Sequence, residues 1–254
     1  MTKPKRIESL SGLRFVFMMI IMLSHMEFLE NTSYGSIYTR YLHNASIGVD
    51  FFFILSGFMM SWNYDDRQID VSVKSAVSFW AKKIKKFYFI YLISMAICIP
   101  YNVIQMQSAG KSIIATSIIA VVRTVVCIPL AQSLFGVTAL SHSFNGVCWF
   151  LSTTSILYLF TPILLDLKHK MKRSRRIYGC LFIGCIFLIP VVYSLFQHIE
   201  KVSIFDDLKY GSPYIRVLYY ICGVFLCDLY RYIRVRFDLV KDMSLLEGGE
   251  LCLV

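Results

Sequence analysis

The chain has 254 residues, of which 57% are hydrophobic and only 17% are charged, whereas about 25% of the residues in a typical soluble domain carry a charge. Apolar runs long enough to cross a bilayer recur along it, which excludes an ordinary soluble domain and predicts an all-α, polytopic integral membrane protein. The net charge of +10 does not indicate nucleic-acid binding, because the basic residues form blocks between these runs, as the positive-inside rule expects.

Seven apolar runs approach the roughly 20 residues that a helix needs to cross a bilayer. They cover about 13–29, 48–63, 87–104, 113–131, 146–165, 177–197 and 214–230. The first run follows a basic start without a small-residue cleavage site, so it predicts a retained helix and not a cleaved signal peptide. We expect one membrane domain over 1–236 and a short tail over 237–254. The eight cysteines form no C-x-x-C pair, so neither a metal site nor a disulfide framework is predicted.

The basic blocks predict which connections are cytoplasmic. One block is the lysine step, which we define as Lys82, Lys83, Lys85 and Lys86, and the other holds six basic residues within 166–176. Three apolar runs separate these blocks, although only an even number of crossings returns a chain to the same side. Run 113–131 is the candidate for an interfacial or re-entrant segment, because Arg123 near its centre is costly in a bilayer unless it faces a cavity or a partner. The alternative is that the positive-inside rule is broken here.

Two ionisable residues interrupt the first run. Arg14 and His25 are eleven positions apart, so a helix places them within about 20° of the same face and about 16 Å apart along its axis. Ionisable groups inside a membrane helix usually face the bundle interior and mark function. The alternatives are an Arg14 side chain that reaches the interface and helps to set topology, and a His25 that already lies at the outer interface.

The second run begins with Asp50 and contains a Ser56–Gly57 step. If this helix runs antiparallel to the first, Asp50 lies at roughly the depth of His25, where a carboxylate could orient an imidazole that acts as a general base. The alternative is an acid at the helix N-terminus. Gly48 and Gly57 predict a close approach of helices, and Ser56 could donate a hydrogen bond across a helix interface.

The lysine step offers pairs of ammonium groups one helical turn apart, notably Lys83 with Lys86. This spacing could hold a phosphate-bearing ligand at the cytoplasmic side of the membrane. The spacing alone fits equally well with charges that only set topology.

Four motifs occur in one order along the chain. They are Arg14 and His25 with ten residues between them, GVDFFFILSGF from residue 48, FWAKKIKKFYFIY from residue 79 and WFLSTTSILYLFTPIL from residue 149. In these motifs the chain resembles the acyltransferase 3 family of membrane acyltransferases. The resemblance covers about residues 6–230 and includes YIRVLYYICGVFL, with Arg216 and Gly223.

The resemblance implies an enzyme that moves an acyl group, commonly acetyl from acetyl-CoA, to a hydroxyl of a carbohydrate such as exopolysaccharide, capsule or O-antigen. It implies that His25 is the catalytic histidine, that Arg14 is its partner, and that the lysine step meets the CoA phosphates, chiefly through Lys83 and Lys86. Acyl-CoA is then a donor substrate, and neither a bound cofactor nor a metal is expected. The residues expected along the substrate path are Ser56, Gly57, Arg123, Trp149, Ser152 and Arg216.

The chain also departs from the family pattern. The usual arginine-rich step reads Lys, which keeps the charge but loses bidentate phosphate geometry. The family bundle has about ten membrane helices, so about three C-terminal helices are expected to be missing. The expected location is the bacterial inner membrane, with the bilayer, acyl-CoA and a carbohydrate as partners and no nucleic acid. The rival hypotheses are a transporter or flippase in which Arg14, His25 and Asp50 line a solute path, and an inactive truncated acyltransferase.

Overall fold

The protein is mainly helical in the residues that its structure, a computed structural model, describes: 7, 9–42, 46–64, 70–171 and 175–250. No strand occurs in these residues. Each predicted apolar run overlaps one long helix, and the predicted all-α class is confirmed. The long helices in these ranges are α1 (Ser9–Ser24), α2 (Ser46–Tyr64), α3 (Val73–Ser108), α4 (Ile113–Cys127), α5 (Trp149–Lys170), α6 (Arg175–Val202) and α7 (Pro213–Glu250).

Four helical stretches within the described ranges are long and apolar enough to cross a membrane. They lie in Gly35–Tyr64, Val73–Ser108, Gly146–Lys170 and Arg176–Val202. The last has a mean hydropathy of 2.3, and none of its most apolar part is buried in the protein, as expected for a helix that lipid surrounds. Helix α4 has 15 residues and is about 22 Å long, which is short for a span of about 30 Å. The interfacial or re-entrant character of 113–131 stays a prediction.

Helix α3 begins earlier than its apolar run indicates. Ser72 caps it, because its hydroxyl accepts a hydrogen bond from the amide of Ser75 at 3.3 Å. Asp70 in turn accepts hydrogen bonds from the hydroxyl and the amide of Ser72, which lower the pKa of its carboxyl group. The lysine step, which we expected in a loop, therefore lies inside a helix of 36 residues. At about 54 Å, α3 is long enough to carry these lysines outside the apolar part of a bilayer.

Helix α7 also extends beyond its apolar run. It continues from Pro213 to Glu250, so the predicted boundary between 236 and 237 is not a break in secondary structure. Residues 251–254 of the expected tail lie outside the described residues. The chain divides into two compact units, one with α1, α2, α6 up to Ile186 and α7 from Tyr219, the other with α3, α4, α5 and Phe187–Leu218. The single domain over 1–236 stays a prediction.

In the first unit, glycines bring helix backbones together. A Cβ atom on Gly57 of α2 would lie 2.8 Å from the carbonyl carbon of Tyr220 in α7, and one on Gly223 would lie 2.7 Å from the carbonyl carbon of Ile54. A Cβ on Gly48 would lie 2.9 Å from Cγ1 of Ile21 in α1. The predicted close approach at Gly48 and Gly57 is confirmed. Such contacts are typical of membrane helices, whose association depends on close packing.

In the second unit, α3 packs on α5 and on the connection that precedes α5. Ile84, Tyr91, Leu130 and Cys148 form a buried cluster, against which Trp80 also packs. The indole nitrogen of Trp80 donates a hydrogen bond to Oγ of Ser155 at 2.7 Å. These contacts place the connection between α4 and α5 beside the first turn of α5, where Trp149 lies.

Candidate active site

His25 lies just after the end of α1 and not inside the helix that the run 13–29 predicts. Its amide donates to the carbonyl of Met22 at 3.2 Å, a tighter turn than the α-helix makes. The hydroxyl of Ser24 donates to the carbonyl of Ile21 at 2.8 Å, and Tyr38 donates to that of Ser24 at 2.7 Å. These bonds satisfy the carbonyls at the helix end. The His25 side chain is exposed there, so a ligand can reach the imidazole.

Arg14 lies on the face of α1 that packs against α2. It precedes Phe17 and Ile21 by three and seven positions, which is the spacing of a single helix face. Phe17 stacks on Phe51 of α2 with ring centres 4.0 Å apart, and Ile21 packs against Gly48. Arg14 is half-buried on the same face, as expected for an ionisable residue that faces the interior of the bundle.

Asp50 does not lie at the depth of His25, and that prediction is wrong. The contacts of Gly48 with Ile21 and of Phe51 with Phe17 place Asp50 level with residues 18–19 of α1. His25 is six to seven positions further along, or about 10 Å. The difference arises because a connection of about twenty residues, and not a tight turn, joins the two helices. The described part of α2 begins at Ser46, so Asp50 stands in the second turn of that part, and the alternative of an acid at the helix N-terminus stays open.

The lysine step forms a basic surface on α3 opposite to its packed side. Lys82 and Lys86 lie about 160° around the helix from the buried Ile84. Lys82, Lys85 and Lys86 are exposed, whereas Lys83 is half-buried with its ammonium nitrogen 5.2 Å from the centre of the Phe79 ring. The step therefore presents three exposed positive charges on one broad face, an arrangement that can attract an anionic group.

Trp149 and Arg216, two residues of the expected substrate path, meet in the second unit. The Arg216 guanidinium lies 5.7 Å from the centre of the Trp149 ring system and 5.4 Å from that of Tyr210. Its Nε donates to the carbonyl of Tyr210 at 2.9 Å. Arg216 is only 3% exposed, so the aromatic faces stabilise its charge where little water is present.

Ser152, another residue of the expected path, is bonded to the protein itself. Its hydroxyl donates to the carbonyl of Leu130 at 2.8 Å and accepts from the amide of Ser133 at 3.1 Å. The hydroxyl of Ser133 donates to the carbonyl of Trp149 at 3.0 Å. These bonds hold the connection before α5 against the first turn of that helix, which accounts for a serine at position 152 without a ligand.

The remaining expected residues lie on α2 and α4. Ser56 is half-buried in α2, and its neighbour Gly57 is buried against the backbone of Tyr220. Helix packing therefore accounts for the glycine. Arg123 is half-buried on α4, four residues before the end of that helix at Cys127. No contact between Arg123 and Trp149 is seen among the described residues, and the structure does not indicate a partner for the charge of Arg123.

The structure also reveals three residues that sequence reasoning missed: His142, Asp207 and Tyr210. The ring centres of Tyr210 and Trp149 are 4.9 Å apart, and those of His142 and Trp149 are 6.4 Å apart. The Nδ1 atom of His142 is 3.8 Å from an oxygen of Asp207. His142 and Asp207 stand in different connections, 65 positions apart, and no periodic pattern links them.

One ion pair anchors the connection that carries Asp207. The ammonium group of Lys209 lies 2.7 Å from a carboxylate oxygen of Glu200 at the end of α6. This hydrogen bond raises the pKa of Lys209 above its ordinary value. The ammonium group of Lys209 therefore pairs with the carboxylate of Glu200.

Comparisons with known proteins confirm the resemblance to the acyltransferase 3 family. The family model described as an acyltransferase domain, acyltransferase 3, matches residues 7–241. A curated relative, acyltransferase MdmB of Streptomyces mycarofaciens, is 25% identical to the chain over 236 residues, which make up 89% of this chain and 58% of that protein. The chain thus spans less than two thirds of the length of this relative. No solved structure matches it. Because the family model covers almost all of its residues, the chain belongs to the acyltransferase 3 family.

Proposed function

We propose that this chain transfers an acyl group, in the first instance acetyl, from acyl-CoA to a hydroxyl of a cell-envelope carbohydrate. The observation that carries the proposal is the family match over residues 7–241, which supports a membrane acyltransferase. The exposed position of His25 at the end of α1 adds to it, because a general base must reach its substrate. Acyl-CoA as donor, the carbohydrate acceptor and a multi-pass location in the bacterial inner membrane are parts of the proposal.

In this reaction His25 is the general base. Its neutral imidazole accepts the proton of an acceptor hydroxyl while the hydroxyl oxygen attacks the carbonyl carbon of the thioester. The new ester C–O bond forms and the C–S bond breaks. The departing CoA thiolate then takes the proton from the imidazolium, which restores the neutral imidazole. Transfer is direct, so the mechanism needs no serine or cysteine nucleophile.

The lysine step is the proposed contact for the phosphates of CoA. Its three exposed lysines share one broad face of α3, and ammonium groups attract phosphate without requiring bidentate geometry. The half-buried Arg14, on the packed face of α1, positions the donor or stabilises charge that develops on the thioester oxygen. Trp149 and Arg216 contact the acceptor in this scheme, and the fixed stacking of Arg216 on two rings supports a positioning role.

The test compares two exposed histidines. Purified wild-type protein, His25→Ala and His198→Ala are incubated with radiolabelled acetyl-CoA and a glycan extract of the native host, and label in the glycan is followed. His198 is exposed on α6 and has no role in the mechanism. We expect His25→Ala to lose about 10²- to 10⁴-fold in rate, the usual contribution of a general base, while His198→Ala transfers label as the wild type does.

Two results would contradict the proposal. Transfer by His25→Ala at the wild-type rate would remove His25 from the reaction. No transfer by any of the three proteins, each monodisperse in detergent, would contradict the acyl donor or the acceptor class. A binding measurement with radiolabelled acetyl-CoA then separates the two errors. If the wild type retains the label and the double variant Lys82→Glu with Lys86→Glu retains less, the donor is right and the acceptor class is wrong. If the wild type retains no label, the donor is wrong.

A further inference from the structure

A buried carboxylate lies in the connection between α6 and α7. Asp207 is only 4% exposed. One of its oxygens accepts a hydrogen bond from the amide of Gly211 at 2.8 Å, and its own amide donates to the carbonyl of Gly136 at 3.0 Å. The other oxygen is buried and has no hydrogen-bond donor among the described residues. A buried carboxylate with an unsatisfied oxygen is costly unless a positive charge compensates it.

The group that faces this oxygen is His142, in the connection before α5. The Nδ1 atom of His142 is 3.8 Å from the unsatisfied Asp207 oxygen. It is itself buried and without a hydrogen-bond partner in the described part of the chain. A distance of 3.8 Å is too long for a hydrogen bond, but an imidazolium at this distance attracts the carboxylate electrostatically. The His142 side chain is 32% exposed, so it can exchange protons with the solvent.

Other charged groups near this pair are already engaged or lie elsewhere. Lys209 pairs with Glu200 at 2.7 Å, and a carboxylate oxygen of Asp206 accepts from the amide of Thr138 at 2.6 Å. Arg216 of α7 stacks on Trp149 and Tyr210, and Arg123 is on α4. Within the described residues, His142 is the titratable group that faces the Asp207 carboxylate.

The pair links the chain segments that hold Trp149 and Arg216. The His142 ring lies against Trp149 at 6.4 Å between ring centres. On the other side, Asp207 holds the amide of Gly211, and the carbonyl of Gly211 accepts from the hydroxyl of Thr153 at 2.6 Å. Tyr210, between Asp207 and Gly211, stacks with Trp149 and accepts the Arg216 hydrogen bond. Attraction between His142 and Asp207 therefore holds the connection before α5 and the connection before α7 together beside Trp149 and Arg216.

We propose that protonated His142 and the carboxylate of Asp207 form an ion pair that positions Trp149 and Arg216 for the acyl acceptor. The role in acceptor binding rests on the proposed function, whereas the ion pair itself does not. His142 is a positioning residue and does not take part in proton transfer to the substrate. When pH rises and His142 loses its proton, the attraction ends and the two segments hold Trp149 and Arg216 less firmly.

The first experiment detects the pair without substrate. The chain has three tryptophans, so a double variant with Trp62→Phe and Trp80→Phe keeps Trp149 as its single tryptophan. A nearby imidazolium quenches indole emission, so Trp149 emission should rise with pH through the range in which histidines titrate, about pH 5 to 8. In the same background and monodisperse in detergent, His142→Gln should abolish the transition, and Asp207→Asn should change its midpoint, because the carboxylate that attracts the imidazolium is gone. A transition that persists unchanged in His142→Gln would overturn the proposal.

The second experiment measures KM for the glycan acceptor against pH. In the wild type, KM should rise as pH increases from about 6 to 8. His142→Gln and Asp207→Asn should hold it at the high value at every pH, about tenfold above the wild type at low pH, which corresponds to about 1.4 kcal/mol. His142→Arg, which keeps the positive charge, should hold it low. KM for acetyl-CoA should not change in any variant.

The kcat profile separates this effect from that of His25. A general base must be neutral, so kcat should rise with pH whether or not His142 is present. A wild-type acceptor KM that is independent of pH, or a pH-dependent one in His142→Arg, would overturn the positioning role. If no variant transfers acetyl but the fluorescence transition needs His142 and changes its midpoint in Asp207→Asn, the ion pair stands, and the acceptor role falls together with the proposed function.

Discussion

Gly57→Ala should destabilise the packing of α2 on α7 far more than the addition of one methyl group suggests. The added Cβ would overlap the carbonyl oxygen of Tyr220 and would lie 2.8 Å from its carbonyl carbon, whereas carbon atoms in favourable contact are about 3.5–4.0 Å apart. The backbones must therefore separate by about 0.7 Å or more. Overpacking of this kind costs about 1–3 kcal/mol. The substitution also gains up to about 1 kcal/mol in helix propensity, but a Gly→Ala change without a clash gains the same amount, so the loss relative to such a change stays about 1–3 kcal/mol.

A matched control is available in the same compact unit. Gly184 lies in α6, and a Cβ there would meet no atom within 4 Å. Gly184→Ala should therefore show only the gain in helix propensity. The assay is the fraction of each detergent-purified variant that remains monodisperse after heating. Since 1 kcal/mol corresponds to about 2–4 °C for a protein of this size, the transition of Gly57→Ala should lie several degrees below that of Gly184→Ala.

The reasoning would be refuted if Gly57→Ala were as heat-stable as Gly184→Ala. That result would mean that α2 and α7 separate without loss, so that the contact contributes little to stability. Gly223→Ala provides a second test of the same contact, because its Cβ would lie 2.7 Å from the carbonyl carbon of Ile54. It should be destabilised to a similar extent.

Three further predictions concern the connection between α6 and α7. Gly211→Ala should lower the heat stability measured in the same assay, because its Cβ would overlap the carboxylate of Asp207. Thr153→Val should cost about 1–3 kcal/mol, since it leaves the buried Gly211 carbonyl without its donor, and Thr153→Ser should recover most of that stability. Glu200 raises the pKa of Lys209 above its ordinary value of 10.5, so the stability from this pair is full below pH 10.5 and is lost as pH rises through the higher folded-state pKa. Heating curves at increasing alkaline pH should show this loss in the wild type and not in Lys209→Gln.

The positions of the helices could be predicted from the sequence, but their ends could not. Continuous apolar runs locate helices because a lipid environment requires them. The apolar run 13–29 does not predict that the first helix ends before His25, because this turn depends on hydrogen bonds from Ser24 and Tyr38. In the same way, the low hydropathy of the lysine step predicts a loop, whereas the helix that contains it is capped by Ser72, ten positions before Lys82.

The candidate site was predictable only in part. The resemblance to the family singled out Trp149 and Arg216, and the structure shows that they touch. His142 and Asp207 were not predictable, because they lie in irregular connections that backbone hydrogen bonds hold, such as that from Asp207 to Gly136. Connections of this kind have no period that a sequence pattern can reveal.

The contact between α2 and α7 also has a genetic consequence. When a substitution creates a clash with a side chain, a second substitution can remove that side chain. At Gly57 and Gly223 the opposing atoms are main-chain atoms of Tyr220 and Ile54, which are present whatever residue stands at those positions. A search for suppressors of Gly57→Ala should therefore recover true revertants, or changes that shift a whole helix, and no compensating substitution at position 220.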